Sequence, residues 1–167
     1  MATGPRYIVK FRREREGKTN YKKRLAMMRS RMPRMVVRVS NKNVICQMIE
    51  HGEIGDKVLV SGSSKELTKL GWDEARSNTP ATYLVGYLCG KKAKKAKVNK
   101  AILDLGFREV VKGSKIFAAL KGALDAGVEI AHDASVLPVP ERIEGAHIDP
   151  KIKVKIADIK KKIDSKF

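Results

Sequence analysis

A chain of 167 residues, 43% of them hydrophobic, is long enough to bury one core and too apolar to be disordered throughout. Thirty-six Lys and Arg against eighteen Asp and Glu give a formal net charge of +18, which folding does not require and which points to a polyanion: nucleic acid or an anionic membrane surface. Two cysteines without CxxC spacing argue against a disulfide framework, and no apolar run nears the ~18 residues of a membrane helix.

The start of the chain has no apolar signal-peptide core, so a cytosolic protein is expected. Residues 1–34 hold twelve Lys and Arg against Glu14 and Glu16, a local net charge of +10. Residues 1–17 alternate basic and apolar positions without helical periodicity and read as an extended arm ending at Gly17. Thr19 is the expected N-cap of a first helix through "YKKRLAMMRSRMPR" (21–34), with Pro33 as its stop. Tyr21, Leu25 and Met28 fall on one stripe, expected to pack on the core, with Arg24 and Arg29 beside it.

"MVVRV" (35–39) and "VICQMIE" (44–50) are β-branched runs joined by "SNKN", a hairpin, and "KVLVS" (57–61) adds a third strand. Ser63 and Glu66 have capping-box spacing for a short helix that Gly71 ends. Thr79-Pro80 is expected to cap and open a helix through "ATYLVGYLCGKKAKKA", with Ala81, Leu84, Val85 and Leu88 inward. Gly86 and Gly90, four apart, are candidates for a close approach to the sheet. "AILDLG" (101–106) reads as a short buried strand, and Ser114 starts a helix with Ile116, Phe117, Leu120 and Leu124 inward and Gly127 as its stop. "VEI" (128–130) closes the pattern as a last short strand. After a Pro- and charge-rich stretch, Asp149-Pro150 caps a terminal helix with Ile152, Ile156, Ile159 and Ile163 on one stripe and seven lysines facing elsewhere. The fold class is α/β: one small domain, βββαβα in order, with helices packed on a mixed sheet.

Catalytic motifs are scarce. The sequence has no P-loop, no GxGxxG after a strand and no GxSxG, and His51, His132 and His147 lie far apart, so no catalytic residue, metal or cofactor is expected. Asp56, Asp104 and Asp125 show no partners for two-metal nuclease chemistry. The lysine run "KKAKKAKVNK" (91–100) is read equally well as a solvated helix end. The basic arm and first helix are a different case. Arg outnumbers Lys eight to four there, and Arg forks onto phosphate and stacks on bases. The candidate RNA-binding residues are Arg6, Tyr7, Lys10, Arg12, Arg13, Arg15, Lys18, Tyr21, Lys22, Lys23, Arg24, Arg29, Arg31 and Arg34. Tyr7, Phe11 and Tyr21 are interleaved among them and suited to stacking on unpaired bases.

"MATGPRY", "YKKRL…MPRMVVRVSNKNVICQMI", "GWDEARSNTPATYLVGYLCGKKA" and "GSKIFAALKGALDAGVEIAHDASVLP" together resemble the archaeal large-subunit ribosomal protein L-eighteen family, related to eukaryotic ribosomal protein L-five. The resemblance runs to about residue 148, and the tail 149–167 fits only loosely. It implies a fold similar to small-subunit protein S-eleven and to the ribonuclease-H-like motif. The chain itself divides into a basic arm (1–17), a globular RNA-binding domain (18–131) and a C-terminal extension (132–167). The resemblance also implies binding to 5S rRNA, attachment to 23S rRNA in the central protuberance of the large subunit, and contact with neighbouring ribosomal proteins, with no membrane and no small-molecule substrate. By the same resemblance the hairpin residues Arg38, Ser40, Asn41, Lys42 and Asn43 meet RNA, as do His132 and Ser135 in "AHDASVLP". Two other readings stay open from the sequence: a metal-dependent ribonuclease-H-like nuclease, and a general nucleic-acid-compacting protein.

Overall fold

β1 (Arg34–Val39) and β2 (Val44–His51) pair antiparallel across the Ser40–Asn43 turn, and β3 (Asp56–Ser63) pairs antiparallel with β2. β4 (Lys100–Asp104) runs parallel to β1, and β5 (Glu129–Ile130) parallel to β4, so the mixed sheet has the order β3-β2-β1-β4-β5. A parallel pair needs a long crossover, and the helices supply it. These are α3 (Ser64–Lys69) and α4 (Thr79–Lys95) before β4, and α5 (Lys115–Asp125) before β5. A one-turn 3-10 helix (Ala134–Val136), α6 (Pro140–Glu144) and α7 (Lys151–Lys166) follow; α1 (Arg12–Arg15) and α2 (Tyr21–Met28) precede the sheet. This computed structural model describes residues 4–167; the first three residues of the arm lie outside them.

One face of the sheet is apolar and covered. Met35, Val37, Val44, Cys46 and Met48 meet Leu84, Val85 and Leu88 of α4 and Ile116, Phe117 and Leu120 of α5 in one core. Leu124, expected inward, is only partly buried. The four isoleucines of α7 are all buried in the same core, so the C-terminal stretch packs onto the domain. Its lysines turn outward to named partners: Lys153 to Glu144 at 2.9 Å, Lys155 to Glu74 at 2.7 Å, and Lys160 over the Tyr83 and Tyr87 rings.

Local chemistry follows the expected signals closely at α3, where Ser63 and Glu66 form the capping box. Two caps shift by one residue. Asn78, not Thr79, caps α4 by accepting from the Ala81 N–H at 2.8 Å, which leaves Pro80 in the first turn where no donor is missed. Asn20, not Thr19, caps α2 through the Lys23 N–H at 3.0 Å; the Thr19 hydroxyl instead accepts from Arg13 Nε at 2.9 Å. Gly86 and Gly90 do mark a close approach, but to α5 and not to the sheet. A Cβ on Gly86 would fall on the Ala119 backbone, and one on Gly122 would fall on the Tyr83 carbonyl, so the two helices cross at backbone contact.

Two expectations at the N-terminal end are corrected. Arg12–Arg15 of the arm is a turn of helix, held by Lys10–Glu14 and Arg12–Glu16 pairs at 3.7 Å. In α2 no residue is buried, and Leu25 is 53% exposed. The helix also stops at Met28, well before Pro33, where Ser30 donates its hydroxyl to the Met27 carbonyl and Arg31 takes a left-handed φ of 55°. The physical reason is the surface it meets: the second face of the sheet offers α2 charged groups, so its docking is polar.

Candidate nucleic-acid interface

Strand alternation puts Met35 and Val37 of β1 in the core and sends Arg34, Val36 and Arg38 to the opposite face. Arg34 is the centre of that face. Its Nη1 donates to Asp104 Oδ2 at 2.6 Å and its Nη2 to Asp56 Oδ2 at 2.8 Å, with the arginine side chain only 6% exposed. Arg24 of α2 donates from Nη2 to the other Asp56 oxygen at 2.8 Å, and His51 Nδ1 lies 3.3 Å from that oxygen. The Gly106 N–H donates to Asp104 Oδ1 at 2.9 Å. Partial burial raises the Asp56 carboxyl, but the Arg34 charge, the His51 hydrogen bond and the Arg24 charge outweigh it and hold it below the usual carboxylate range.

This network engages two residues that the sequence placed against RNA. Arg34 is a buried tie between carboxylates, its charge balanced within the protein, and Arg24 is half-buried and shared with Asp56. Part of the negative charge that the first helix requires is therefore protein. Asp56 and Asp104, which showed no partners in the sequence, come together on opposite sides of one guanidinium.

Between α2, the Gly17–Asn20 loop, the sheet face and the loop after β4 lies a cleft of about 320 Å³. Met27, Val36 and Ile49 line it with apolar surface, and Arg13, Lys18, Lys23, Arg38 and Arg108 line it with charge. Arg38 donates to Gln47 Oε1 at 2.9 Å and Arg108 to the Val39 carbonyl at 2.9 Å, both neutral acceptors that leave the charge uncompensated. Lys18 alone among the five has an acidic partner, Glu16 at 2.7 Å, among the described residues. Arg108 and its neighbour Phe107, 44% exposed, were not among the residues expected from the sequence. The available signal was "GFR" directly after a strand: Gly106, at φ 59°, turns the chain so that both side chains reach the cleft.

The remaining candidates divide into groups. Arg6, Tyr7, Lys10, Arg12 and Arg15 are exposed or nearly so on the arm, and Phe11 meets Tyr21 edge-to-face at 5.1 Å between centroids. Lys22 is exposed on α2 and Arg29 at its C-cap, with Arg31 just beyond. In the hairpin, Asn41 and Lys42 are exposed at the tip, whereas Ser40 and Asn43 build the turn: the Ser40 hydroxyl donates to the Asn43 carbonyl at 2.8 Å and accepts its N–H at 3.0 Å. His132 and Ser135 follow β5 and do not line the cleft. His132 Nδ1 lies 2.8 Å from the Ile130 carbonyl, and Ser135 donates its N–H to Asp133. The lysine run is largely engaged within the protein, Lys91 to Asp164 at 2.7 Å, Lys92 to Glu66 at 2.6 Å and Lys100 to Glu129 at 3.1 Å.

A family model described as "Ribosomal large subunit proteins 60S L5, and 50S L18" matches residues 5–100 and 91–133. Over 148 residues the chain is 53% identical to the "Large ribosomal subunit protein uL18" of Methanothermobacter thermautotrophicus, covering 89% of this chain and 77% of that protein. The protein of the same description from Korarchaeum cryptofilum is also 53% identical, over 89% of this chain and 76% of its own length. The one from Methanoregula boonei is 51% identical, over 89% of this chain and 85% of its own.

Proposed function

Because the chain belongs to the family of large-subunit ribosomal proteins 60S L5 and 50S L18, we propose that it is a structural constituent of the large ribosomal subunit that binds 5S rRNA and helps attach it to 23S rRNA. It works in the cytoplasm, in the central protuberance, beside neighbouring ribosomal proteins. One observation carries the placement of the RNA. Lys91, Lys92, Lys153 and Lys155 are paired with acids inside the protein, whereas Arg13, Lys23, Arg38 and Arg108 surround an open cleft and have no acidic partner among the described residues. The arm, α1, α2 and the hairpin tip continue that cationic surface, and phosphate contacts on it supply position and affinity.

The nuclease alternative meets a specific obstacle. Asp56 and Asp104 hold the Arg34 guanidinium between them, so a divalent ion at that place would have to displace a buried arginine that bridges the two carboxylates. The test is affinity for 5S rRNA, for transfer RNA and for duplex DNA at ~0.15 M salt, with the salt slope measured for each. Preference for 5S rRNA by about tenfold or more supports the reading. Equal affinity for all three favours a compacting protein, and cleavage of RNA with magnesium or manganese would overturn the structural role as a complete account.

A further inference from the structure

We propose that the cleft between α2 and the open sheet face takes one unstacked nucleobase of the bound RNA, a pocket within the 5S rRNA contact proposed above and resting on that reading. The charge layout separates base from phosphate. On the floor, Arg24 and Arg34 are balanced by Asp56 and Asp104, with Arg34 bridging the two carboxylates and Arg24 paired with Asp56. A phosphate seated there would face two carboxylates. A neutral ring would meet the same carboxylates without charge repulsion.

At the rim the balance reverses, since four of the five cations have no acid opposite them among the described residues. The flanking phosphates of an inserted nucleotide would lie there. Met27, Val36 and Ile49 give the floor the apolar surface that a base stacks on or packs against, and Phe107 stands exposed at the edge. The volume of about 320 Å³ is at the small end of ligand pockets, which run from roughly 300 to 1,000 Å³.

One donor is left over. Arg34 Nε is buried and has no hydrogen-bond partner, although both terminal nitrogens of the same side chain are bonded. A buried N–H without an acceptor is costly, and the ring nitrogens and carbonyls of nucleobases are acceptors. An inserted base fills the floor and brings acceptors next to the one side chain there that has a buried donor without one.

The experiment is a coupling between a blocked cleft and a missing base. Val36→Trp fills the floor with a side chain that strands accept. Abasic substitution removes one unpaired base of 5S rRNA at a time. One such substitution should weaken wild-type binding about tenfold at an unchanged salt slope. Val36→Trp should weaken binding to intact RNA by a similar factor and be insensitive to that same abasic site. If Val36→Trp unfolds, the smaller block Val36→Phe takes its place in the same coupling. No abasic site that weakens wild-type binding more than twofold, or one that weakens both proteins equally, overturns the inference while leaving 5S rRNA binding intact. Failure of the wild-type chain to bind 5S rRNA overturns the functional reading, and the inference with it.

Discussion

Arg34→Met removes the charge that two carboxylates share while keeping a side chain of similar reach. Arg34 is 6% exposed, Asp104 12% and Asp56 27%, so the variant leaves one nearly buried and one partly buried carboxylate facing an apolar group. Breaking a buried pair by deleting one partner costs about 3–5 kcal/mol. Asp56 keeps Arg24 and His51 and is partly solvated, which places the expected loss near about 3 kcal/mol, the low end of that range. For a chain of this size that lowers the melting temperature by about 6–12 °C. Arg34→Lys keeps the charge but loses the fork, and should fall between. Adding Asp56→Asn and Asp104→Asn to Arg34→Met should restore much of the loss, because the one cation left without its partner, Arg24, is 31% exposed to solvent. Melting and urea unfolding followed by circular dichroism measure the effect, and RNA affinity below the transition measures the folded protein alone. A melting temperature within about 2 °C of wild type, joined to a salt slope smaller by one phosphate, roughly 0.7–0.9, would refute the buried tie and return Arg34 to the RNA surface.

Acid adds a second readout of the same network. The folded pKa of Asp56 is depressed, so its stabilisation is fully present above the ordinary Asp value of about 3.9 and is lost as pH falls through the folded value. The gap in melting temperature between wild type and Asp56→Asn should therefore close as pH drops below about 4. Gly86→Ala should destabilise by about 3 kcal/mol or more, despite the better helix propensity of alanine, because the added methyl meets the Ala119 backbone and not a movable side chain. Ile159→Ala, at a 2% exposed position of α7, should cost about 2–5 kcal/mol, whereas Leu25→Ala on exposed α2 should cost within about 0.5 kcal/mol; equal losses in urea unfolding would contradict the polar docking of α2. Deleting residues 1–17 should leave the melting temperature nearly unchanged and reduce the RNA salt slope by up to about 2–3, since among the described residues Arg6, Arg13 and Arg15 lack the acidic partners that Lys10 and Arg12 have. An unaltered slope would remove the arm from the interface.

Sequence alone determined what neighbours in the chain decide. The β-branched runs of β1 to β3, the Ser63–Glu66 cap, the Gly127 stop and the isoleucine stripe of α7 are legible because periodicity and capping act over a few residues. The charge of residues 1–34 likewise announced a polyanionic partner before any fold was known. The fate of single residues was not legible in the same way. Leu25 reads as core in a helical stripe, yet it is exposed because the surface beneath α2 is built from Arg34, Asp56 and Asp104. Arg34 reads as one more RNA-facing cation, and its partners stand 22 and 70 residues further along the chain. Gly86 signals a close approach, but only the crossing of α4 and α5 decides that its neighbour is a helix backbone. The cleft itself joins Arg13, Lys23, Arg38 and Arg108 from four separate segments, and no local pattern encodes such a meeting. Local signals set which elements form; which charge is buried and which is left for RNA depends on what the sheet order brings opposite it.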